Sequence, residues 1–544
     1  MSKAAHYLQE HLMGEVMISP DVREFFATDA SIFTVTPSTI VYPKNENDVR
    51  KVARFTWQLA ERGRVVPITA RGNGTDQSGA ALGSEILMVF PAYMNKVIDF
   101  DGKSGQVVVE PGINYGTLQQ VLMSHGRFLP PYPASMDYST VGGAVANNAG
   151  GEKSVKYGDT KNFVKRLRVV LANGEVITTG RLNKRELNKK LGLSSFEGEI
   201  YRAVDTLIEE NNKIIKESVI PVTRNASGYC LPDVRTKDGF DLTPLFVGSQ
   251  GTLGIITEIQ LETEAYTKDT TLLVGMFDDL DKVQTAVNDL RALSDTPSLI
   301  EMIDGNLLNL VDEINPNQLK DVILKPYPKV VLFVEFDDGN DRTHKKMVKK
   351  AIKILERNTI DYQVADDDAE KNKLWKLRQA TSLIISHTDG KLRATPLIED
   401  GIVPPDKLTE FLKSLYKLLE KNKVRTAVWG HAGEANLQTQ PYLDLGHVGD
   451  RQKLFRILEE YHDLIIELNG SITAGHGDGR IRTPYISRLY GNEIFSLFEK
   501  IKKIFDPYNL LNPGIKTNLS VNDIKPTLRD QFSLGAWYDH LPRG

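Results

Sequence analysis

Short apolar runs separated by turn residues fill the first half of this chain. A run at 39–41 is followed by Asn45, a suitable N-cap, and by apolar residues at helical spacing from Val49 to Leu59. A second run at 65–68 completes a small βαβ unit. Further strands are predicted at 86–90, 96–99, 107–109, 163–171 and 176–178, with a hairpin turn at 172–175 and helices at 115–125 and 196–216.

The pattern changes near residue 265, where we place a domain boundary. Beyond that point strands and helices alternate, in an order typical of an open α+β sheet of the ferredoxin-like type. The strands are predicted at 271–277, 330–336 and 362–364, and the helices at 280–293 and 344–357. At 544 residues the chain is also longer than one core usually supports, so two or more domains are expected.

Three glycine-rich segments stand apart from these elements, at 71–75, 131–158 and 248–254. The middle segment contains VGGAVANNAGG, which is too long for a hairpin turn and too polar for a buried strand. It matches neither the dinucleotide-binding nor the P-loop fingerprint. Because exposed backbone N–H groups in glycine turns suit phosphate, we expect three loops of one cradle for a pyrophosphate-plus-ring cofactor. For any single glycine, an ordinary turn is the alternative.

Two further motifs complete a family pattern: Pro111-Gly112, and the segment 505–514 (FDPYNLLNPG). Together with the glycine segments, they resemble the FAD-linked oxidases of the vanillyl-alcohol oxidase/PCMH superfamily. Within that superfamily the chain is most similar to the D-lactate, D-2-hydroxyglutarate and glycolate dehydrogenase branch. The resemblance covers about residues 30–516, and several motifs in the expected order make it specific.

The resemblance implies an α+β protein in which a PCMH-type FAD-binding domain of two α/β subdomains precedes a ferredoxin-like substrate (cap) domain and a C-terminal helical segment. The cofactor would be FAD. Some members of the superfamily attach it covalently through a histidine in the first glycine loop, and residues 72–79 contain none, so we expect noncovalent FAD. The predicted domains are 1–33 (N-terminal helical segment), 34–265 (FAD-binding), 266–516 (FAD-linked oxidase C-terminal domain) and 517–544 (polar tail).

The flavin-binding positions are carried over from the family residue by residue. Gln250 stands where many relatives have glutamate, a difference that the sequence does not explain. The positions that match are Arg71, Gly72, Asn73, Gly74, Thr75, Gly79, Thr140, Gly142, Gly143, Asn147, Gly150, Gly151, Tyr157, Gly158, Gly254, Ile256 and Asn512.

Two histidine segments carry the candidate chemistry of the second half, GHAGEANLQ at 430–438 and GSITAGHGDGR at 470–480. His476 lies between two glycines, so it does not belong to an apolar helix face. Flexible backbone on both sides favours a side chain presented into a cleft, and histidine is the usual general base near neutral pH. The alternative is a structural histidine in a turn.

The resembled proteins bind a divalent metal through two histidines of the first segment and a glutamate that precedes the histidine of the second. This chain keeps His431, Asn436 and His476, but has Gln438 and Gly475 where the second histidine and the glutamate belong. Metal sites normally recruit three or four strong ligands. We therefore predict no catalytic metal, while the resemblance still implies that His476 takes the hydroxyl proton.

Arg378 matches the family arginine that binds the substrate carboxylate, and the planar fork of arginine suits two carboxylate oxygens. A solvated arginine on a charged helix is the alternative. Ile398 replaces a lysine that the D-2-hydroxyglutarate-type relatives use nearby. Arg480 and Arg482 could supply the missing positive charge, or could equally face solvent.

Composition and the N-terminal sequence limit the partners, metal clusters and cellular location that we expect for this protein. A net charge of −4 gives no sign of a nucleic-acid partner, and the single cysteine excludes an internal disulfide and a thiolate metal cluster. The N-terminus has no apolar core typical of a signal peptide, and no apolar run approaches the length of a transmembrane helix. We expect a cytoplasmic protein, with peripheral association at a membrane left open.

The leading interpretation is a flavoenzyme that oxidises a D-2-hydroxy acid, of the D-lactate, D-2-hydroxyglutarate or glycolate type, to the 2-oxo acid. His476 would act as base while hydride passes to flavin N5, and Arg378 would orient the carboxylate. The electron acceptor stays open between a quinone, an electron-transfer flavoprotein, a partner subunit and oxygen. Two alternatives remain: a flavin-dependent transferase like the alkylglycerone-phosphate synthases, and a flavin-binding subunit without turnover of its own.

Overall fold

A four-stranded sheet opens the fold, in a computed structural model that describes residues 3–320 and 322–530. Its order is Glu15–Met17, Thr39–Tyr42, Ile86–Val89, Ile68–Arg71, and the last three strands are parallel. Helix Glu46–Ala60 crosses between Thr39–Tyr42 and Ile68–Arg71, with the Asn45 side chain accepting the Asp48 N–H as its cap. The predicted βαβ unit is confirmed. Its second strand was placed three residues too early, so Arg71 ends a strand and the loop begins after it.

A second sheet of five antiparallel strands follows, in the order Val97–Asp101, Gln106–Val109, Ile255–Glu262, Val164–Val170, Val176–Thr178. Its central strand, Ile255–Glu262, alternates buried and half-buried residues, as expected for a strand with one face in the core. The predicted hairpin turn at 172–175 is confirmed by the pairing of Val170 with Val176. The main helices of this half are Tyr115–Ser124, Lys184–Leu191, Phe196–Glu210 and Asn212–Glu217.

The sequence predicted a loop for the middle glycine segment. In the structure this segment contains the helix Val141–Asn147. Thr140 caps this helix by accepting the Gly143 N–H, and Asn148 ends it in the left-handed conformation at φ 52°. A Cβ on Gly142 would lie 2.6 Å from Pro111 Cβ. Gly142 therefore allows the helix to pack closely on the Pro111 turn. Composition alone does not distinguish such a glycine from a glycine in a loop.

The second half is built on a sheet of seven antiparallel strands. This sheet has more strands than the predicted ferredoxin-like sheet. Buried side chains alternate between two cores, so that Leu272 and Val274 face one and Leu273 the other. The predicted strands at 271–277 and 330–336 have those bounds in the structure. The sheet order is Asp361–Ala365, Thr271–Phe277, Val330–Phe336, Leu299–Asp304, Val428–His431, Asn436–Thr439, Gly401–Ile402.

Helices cover both faces of this sheet. The helices Leu280–Arg291 and Asp341–Asn358 agree with prediction to within three residues at each end. They pack with Leu408–Lys421 and Val448–Glu467 over one core. The other core is covered by Gly305–Ile314, Asp368–Gln379 and Thr381–Ser386.

The two halves meet through a cluster of charged residues. Lys153 Nζ lies 2.7 Å from Glu335 and 2.9 Å from Asp337, and Lys156 Nζ lies 2.7 Å from Asp337. The Tyr157 hydroxyl donates to the same Asp337 carboxylate at 3.1 Å. The end of the middle glycine segment is thus fixed to the end of strand Val330–Phe336 in the second half.

Residues at both ends of the described chain pack together. The segment 517–530 was predicted as part of a polar tail, yet Ile524 and Leu528 are buried in the same core as Ile32 and Phe33. The Arg529 N–H also donates to the Ile32 carbonyl. The remainder of the predicted tail, 531–544, lies outside the described residues, and the domain bounds themselves stay a prediction. The helices Lys3–His11, Pro20–Phe25 and Val521–Ile524 belong to these end segments.

Helix Ile486–Phe505, kinked at Gly491, leads into the family motif at 505–514. Lys502 on this helix is buried, and its Nζ donates to the carbonyls of Thr252 and Leu511 and to the Asp506 carboxylate, at 2.9, 2.6 and 2.6 Å. Asp506 in turn accepts the Leu511 N–H. One buried ion pair therefore joins the third glycine segment to the C-terminal motif.

None of the helices in residues 3–320 and 322–530 is both long and apolar enough to cross a membrane.

Replacing Lys502 with methionine should leave the Asp506 carboxylate buried without its cation. We expect a loss of about 3–5 kcal/mol of unfolding free energy, the usual cost of breaking a buried pair. Thermal and urea unfolding would measure it, with Lys500→Met at an exposed position of the same helix as control. Equal stability of the two variants would show that the pair contributes nothing.

Candidate active site

Gln250, in the third glycine segment, links the middle segment and Ser78, just after the first segment, to the second histidine segment. Its Nε2 donates to Ser78 Oγ, Asn147 Oδ1 and the His476 carbonyl at 3.2, 3.0 and 3.3 Å, and its Oε1 accepts the Gly479 N–H at 2.8 Å. This network assigns the orientation of the amide. A glutamate could not donate to these oxygens. The hydrogen bonds donated by its amide therefore explain why position 250 is a glutamine and not the glutamate of many relatives.

The segment 72–75 presents unpaired backbone donors. Among the described residues, none accepts a hydrogen bond from the N–H of Asn73, Gly74 or Thr75. Gly74 has φ +73°, which turns successive N–H groups toward one side. Arg71 directly before them is buried, and its Nε has no partner in the described part of the chain. Free amides next to a cation fit a pyrophosphate-containing cofactor such as FAD.

Other predicted flavin positions lie where a side chain would not fit. A Cβ on Gly72 would lie 2.3 Å from Thr140 Oγ1, and one on Gly151 would lie 1.9 Å from the Tyr132 carbonyl. The structure thus brings the first and middle glycine segments into contact, as the cradle requires. Gly79 follows the first segment, and the middle segment holds Thr140, Gly142, Gly143, Asn147, Gly150 and Gly158.

Further predicted flavin positions make contacts within the protein, as Asn147 does with Gln250. The Asn512 amide donates to the carbonyls of Ala80 and Gln250, and its Oδ1 accepts from Thr69. Tyr157 binds Asp337, as described above. Gly254 and Ile256 lie at the start of the central strand of the five-stranded sheet, among core residues. These contacts hold the segments in place, and a direct role in binding flavin stays a prediction.

His476 lies beside two buried carboxylates. Its Nδ1 is 3.0 Å from Glu399 Oε1, and its backbone N–H donates to Asp400 Oδ2 at 2.7 Å. Burial alone would lower the pKa of the imidazole, and so would nearby Arg482, but Asp400 and Glu399 outweigh both and raise the pKa to about 9. The side chain keeps 34% of its surface exposed. It is therefore an accessible, anchored imidazole and not an inert histidine of the core.

Asp400 organises the loop that carries His476. Its Oδ2 accepts from Thr473 Oγ1 and from the N–H groups of Ala474, Gly475 and His476, all within 3.0 Å. Burial would raise the pKa of this carboxyl, but the charges of His476 and Arg482 and these hydrogen bonds hold the pKa well below its usual range. Our sequence interpretation did not assign a role to Asp400 or Glu399. Their adjacent charges inside an otherwise apolar segment were the available signal.

Arg378 and His431 share one buried carboxylate, Glu301. Arg378 donates to Glu301 Oε2 through Nε at 3.1 Å and Nη2 at 2.9 Å, while His431 Nδ1 lies 2.5 Å from Oε1. Burial would raise the pKa of Glu301, but His431 and Arg378 reverse this effect and lower the pKa. Arg378 is thus not a solvated helix residue. Glu301 escaped the sequence analysis because its strand, Leu299–Asp304, was not predicted.

Asn436 joins these groups. It pairs with His431 across the hairpin, its Nδ2 donates to the Gly401 carbonyl at 3.1 Å, and its Oδ1 accepts from Arg224 at 3.2 Å. Gln438, two residues on, accepts the Asp400 N–H at 3.2 Å. The four predicted catalytic residues therefore belong to one connected region. The part of the chain described by the structure contains no group of three or more His, Cys, Asp or Glu arranged to hold a metal ion.

The two arginines after His476 face protein groups. Arg482 is buried and donates to the carbonyls of Glu399 and Gly477, at 3.0 and 3.1 Å. Arg480 donates to the Leu82 carbonyl at 2.8 Å. Neither is the solvated residue that the sequence allowed. Arg482 Nη2 also lies 3.6 Å from Glu399 Oε1, the carboxylate oxygen that contacts His476.

Comparison with known families agrees with this arrangement. Residues 37–180 match the model of an FAD binding domain, and residues 267–515 match the C-terminal domain of FAD linked oxidases. The chain belongs to the FAD-linked oxidase family. This oxidoreductase family lies within the vanillyl-alcohol oxidase/PCMH superfamily, as the motifs predicted, and its first domain indicates FAD as the cofactor.

Several curated relatives of this FAD-linked oxidase align over most of its length. D-2-hydroxyglutarate dehydrogenase of Haemophilus influenzae is 27% identical over 93% of this chain and 50% of its own length. Glycolate oxidase subunit GlcD of Bacillus subtilis is 27% identical over 88% of each chain. D-lactate dehydrogenase of Archaeoglobus fulgidus is 25% identical over 91% of this chain and 97% of its own length. The chain thus spans about half the length of the first of these relatives.

Solved structures show the same fold. An alkyldihydroxyacetonephosphate synthase superimposes with a TM-score of 0.63 at 16% identity, covering 94% of this oxidase and 84% of the synthase. The 4-ethylphenol oxidase of Gulosibacter chungangensis gives a TM-score of 0.65 at 14% identity. The superposition covers 96% of this chain and 98% of the 4-ethylphenol oxidase. At such identities the likeness concerns the fold alone.

Replacing Gly74 with alanine should weaken FAD binding. The added carbon would lie 2.2 Å from Arg71 Nη2, and a non-glycine residue at φ +73° costs about 1–3 kcal/mol. The apoprotein can relax out of this conformation but must return to it to bind FAD, so we expect the FAD dissociation constant to rise roughly tenfold or more. Titration of the apoprotein with FAD, followed by flavin fluorescence, would measure it. Gly339→Ala is the matched control, because no atom lies within 4 Å of the added carbon. An unchanged affinity for Gly74→Ala would argue against this segment as the pyrophosphate site.

Proposed function

We propose that this FAD-linked oxidase oxidises a D-2-hydroxy acid to the 2-oxo acid with noncovalently held FAD. The observation that carries the proposal is the placement of His476. Its side chain is anchored to Glu399, and its backbone carbonyl is bound by Gln250, which also contacts the middle glycine segment. A base held this way lies next to the predicted cofactor cradle. The curated relatives named for 2-hydroxy acid substrates support the substrate class.

The reaction removes a hydride from the hydroxyl-bearing carbon and a proton from the hydroxyl. Bound FAD supplies the acceptor for the hydride, and the neutral His476 imidazole takes the proton. The pKa of about 9 leaves roughly one imidazole in a hundred neutral at pH 7 in the substrate-free protein. Catalysis should therefore favour alkaline pH, since only the neutral form accepts a proton.

Arg378 is the candidate for the substrate carboxylate. Glu301 occupies its Nε and Nη2, which leaves Nη1, in contact with Thr381 at 3.4 Å, as the edge for a ligand. Because Glu301 also binds His431, a change at any of the three residues should alter the orientation of the others. On the basis of this coupling we assign Arg378 and His431 to substrate positioning and leave proton transfer to His476.

The direct test is the visible spectrum of the purified protein under anaerobic conditions. D-lactate, D-2-hydroxyglutarate and glycolate are added in turn, before and after treatment with a chelator. Bleaching of the oxidised flavin bands by one acid would establish the activity and name its substrate, and bleaching that survives the chelator would agree with a metal-free site. Flavin bands that persist with every acid would overturn the proposal and favour the transferase or the subunit without turnover.

The role of His476 makes a prediction about pH. The rate of flavin reduction at low substrate should rise about tenfold per pH unit and level off near pH 9, because the fraction of neutral imidazole rises in that way. Stopped-flow reduction between pH 6 and 10 would measure it. Glu399→Gln removes one of the carboxylates that raise the pKa, so its plateau should begin at lower pH.

His476→Asn is the complementary variant. It should bind FAD and reduce it at least about a hundredfold more slowly, the usual contribution of a positioned general base. Fast reduction by His476→Asn, or a rate independent of pH in the parent protein, would remove this histidine from the proton-transfer role.

A further inference from the structure

Arg224 is a buried arginine of this site to which the sequence analysis assigned no role. It opens the segment RNASGY at 224–229, and only 4% of its surface is exposed. Its Nε lies 3.0 Å from both carboxylate oxygens of Glu434, and its Nη2 lies 3.0 Å from Glu434 and 3.2 Å from Asn436 Oδ1. Two of its three nitrogens are thus used by the protein.

The third nitrogen, Nη1, has no acceptor among residues 3–320 and 322–530. Its surroundings are defined by two glycines. An added Cβ would lie 2.0 Å from Nη1 at Gly150 and 3.2 Å from it at Gly475. A side chain at Gly150 would therefore displace this nitrogen, and one at Gly475 would press against it.

Gly475 directly precedes the proposed base and stands where the resembled proteins have a metal-binding glutamate. A side chain starting at Gly475 would meet Nη1 and, at 3.0 Å, the Gly150 backbone nitrogen. The guanidinium and a glutamate could not share this space without displacement. One positive group, Arg224, thus stands beside the position from which the relatives hold a metal cation.

Arg224 is also connected to the residues proposed for catalysis. Asn436 accepts from Arg224 and pairs across the hairpin with His431. Burial alone would lower the pKa of the guanidinium, but Glu434 and the more distant Asp400 raise it, so the group stays a cation. A buried cation with one free donor, enclosed by glycines, is suited to bind an anionic oxygen.

We propose that Arg224 binds the 2-hydroxycarboxylate group of the substrate through Nη1, and that its charge takes the place of a metal ion in this chain. The inference rests on the proposed function and extends it to substrate recognition. It implies that divalent cations do not support turnover. It also gives Gly150 a role, since a side chain there would take the place of the guanidinium nitrogen.

The test must separate substrate binding from the structural role of the Arg224–Glu434 pair. Arg224→Gln alone would strand the buried Glu434 carboxylate, so we combine it with Glu434→Gln, which removes both charges at similar volume. Glu434→Gln alone keeps the cation. Arg224→Lys keeps a paired charge but loses the free Nη1. Arg488→Gln, at an exposed arginine on another helix, is the control for loss of a positive charge.

We expect the double variant to bind FAD and to show KM raised about 10- to 100-fold, as for the loss of a hydrogen bond between charged groups, with a smaller change in kcat. Arg224→Lys should lie between it and the parent. The dissociation constant of oxalate, a non-reacting dianion, measured by perturbation of the flavin spectrum, should rise by a similar factor. Arg488→Gln should bind oxalate as the parent does. Glu434→Gln keeps the Arg224 cation but removes its counter-charge, so it should bind oxalate no more weakly than the parent.

Two outcomes would overturn the inference. One is an unchanged KM and oxalate affinity in the double variant, which would make the pair purely structural. The other is loss of parent turnover on treatment with a chelator and its return with a divalent metal. If no 2-hydroxy acid bleaches the parent flavin while oxalate binding still depends on Arg224, the proposed function fails and the anion site stands.

Discussion

The hydrogen bonds received by one buried carboxylate, Asp400, hold the candidate site together. A single oxygen accepts from four consecutive residues, 473–476, and so fixes the loop that ends in His476. Asp400 itself lies at φ +65°, a conformation that costs energy for a non-glycine residue. The hydrogen bonds offset that cost, because the carboxylate is the acceptor for backbone donors that would otherwise be buried without partners.

The arrangement of charge follows from this constraint. Three arginines of the region are each paired with one buried carboxylate: Arg378 with Glu301, Arg224 with Glu434, Arg482 with Glu399. The first two pairs orient the guanidinium and leave Nη1 for a ligand, whereas both Nη atoms of Arg482 donate to protein carbonyls. His476 differs, because two carboxylates act on one imidazole. The excess negative charge there is what raises the pKa of His476 above neutrality.

The sequence predicted the elements better than their contacts. Strands such as 271–277 and 330–336 are mostly apolar runs between turns, so their bounds were predicted correctly. The helix at Val141–Asn147 was missed because glycines that pack a helix closely look, in sequence, like glycines of a loop. Glu301 was missed for another reason. Its importance comes from facing Arg378 and His431, which are 77 and 130 residues away in the chain.

Gln250 couples the binding of the cofactor to the alignment of the proposed base. One amide group holds the segments assigned to the cofactor and, through the His476 carbonyl, the backbone of the base. Cofactor affinity and base alignment therefore depend on a shared set of hydrogen bonds. In evolution or in engineering, neither property can be adjusted at this residue without changing the other, so variation at 250 would require compensating changes in two distant parts of the chain.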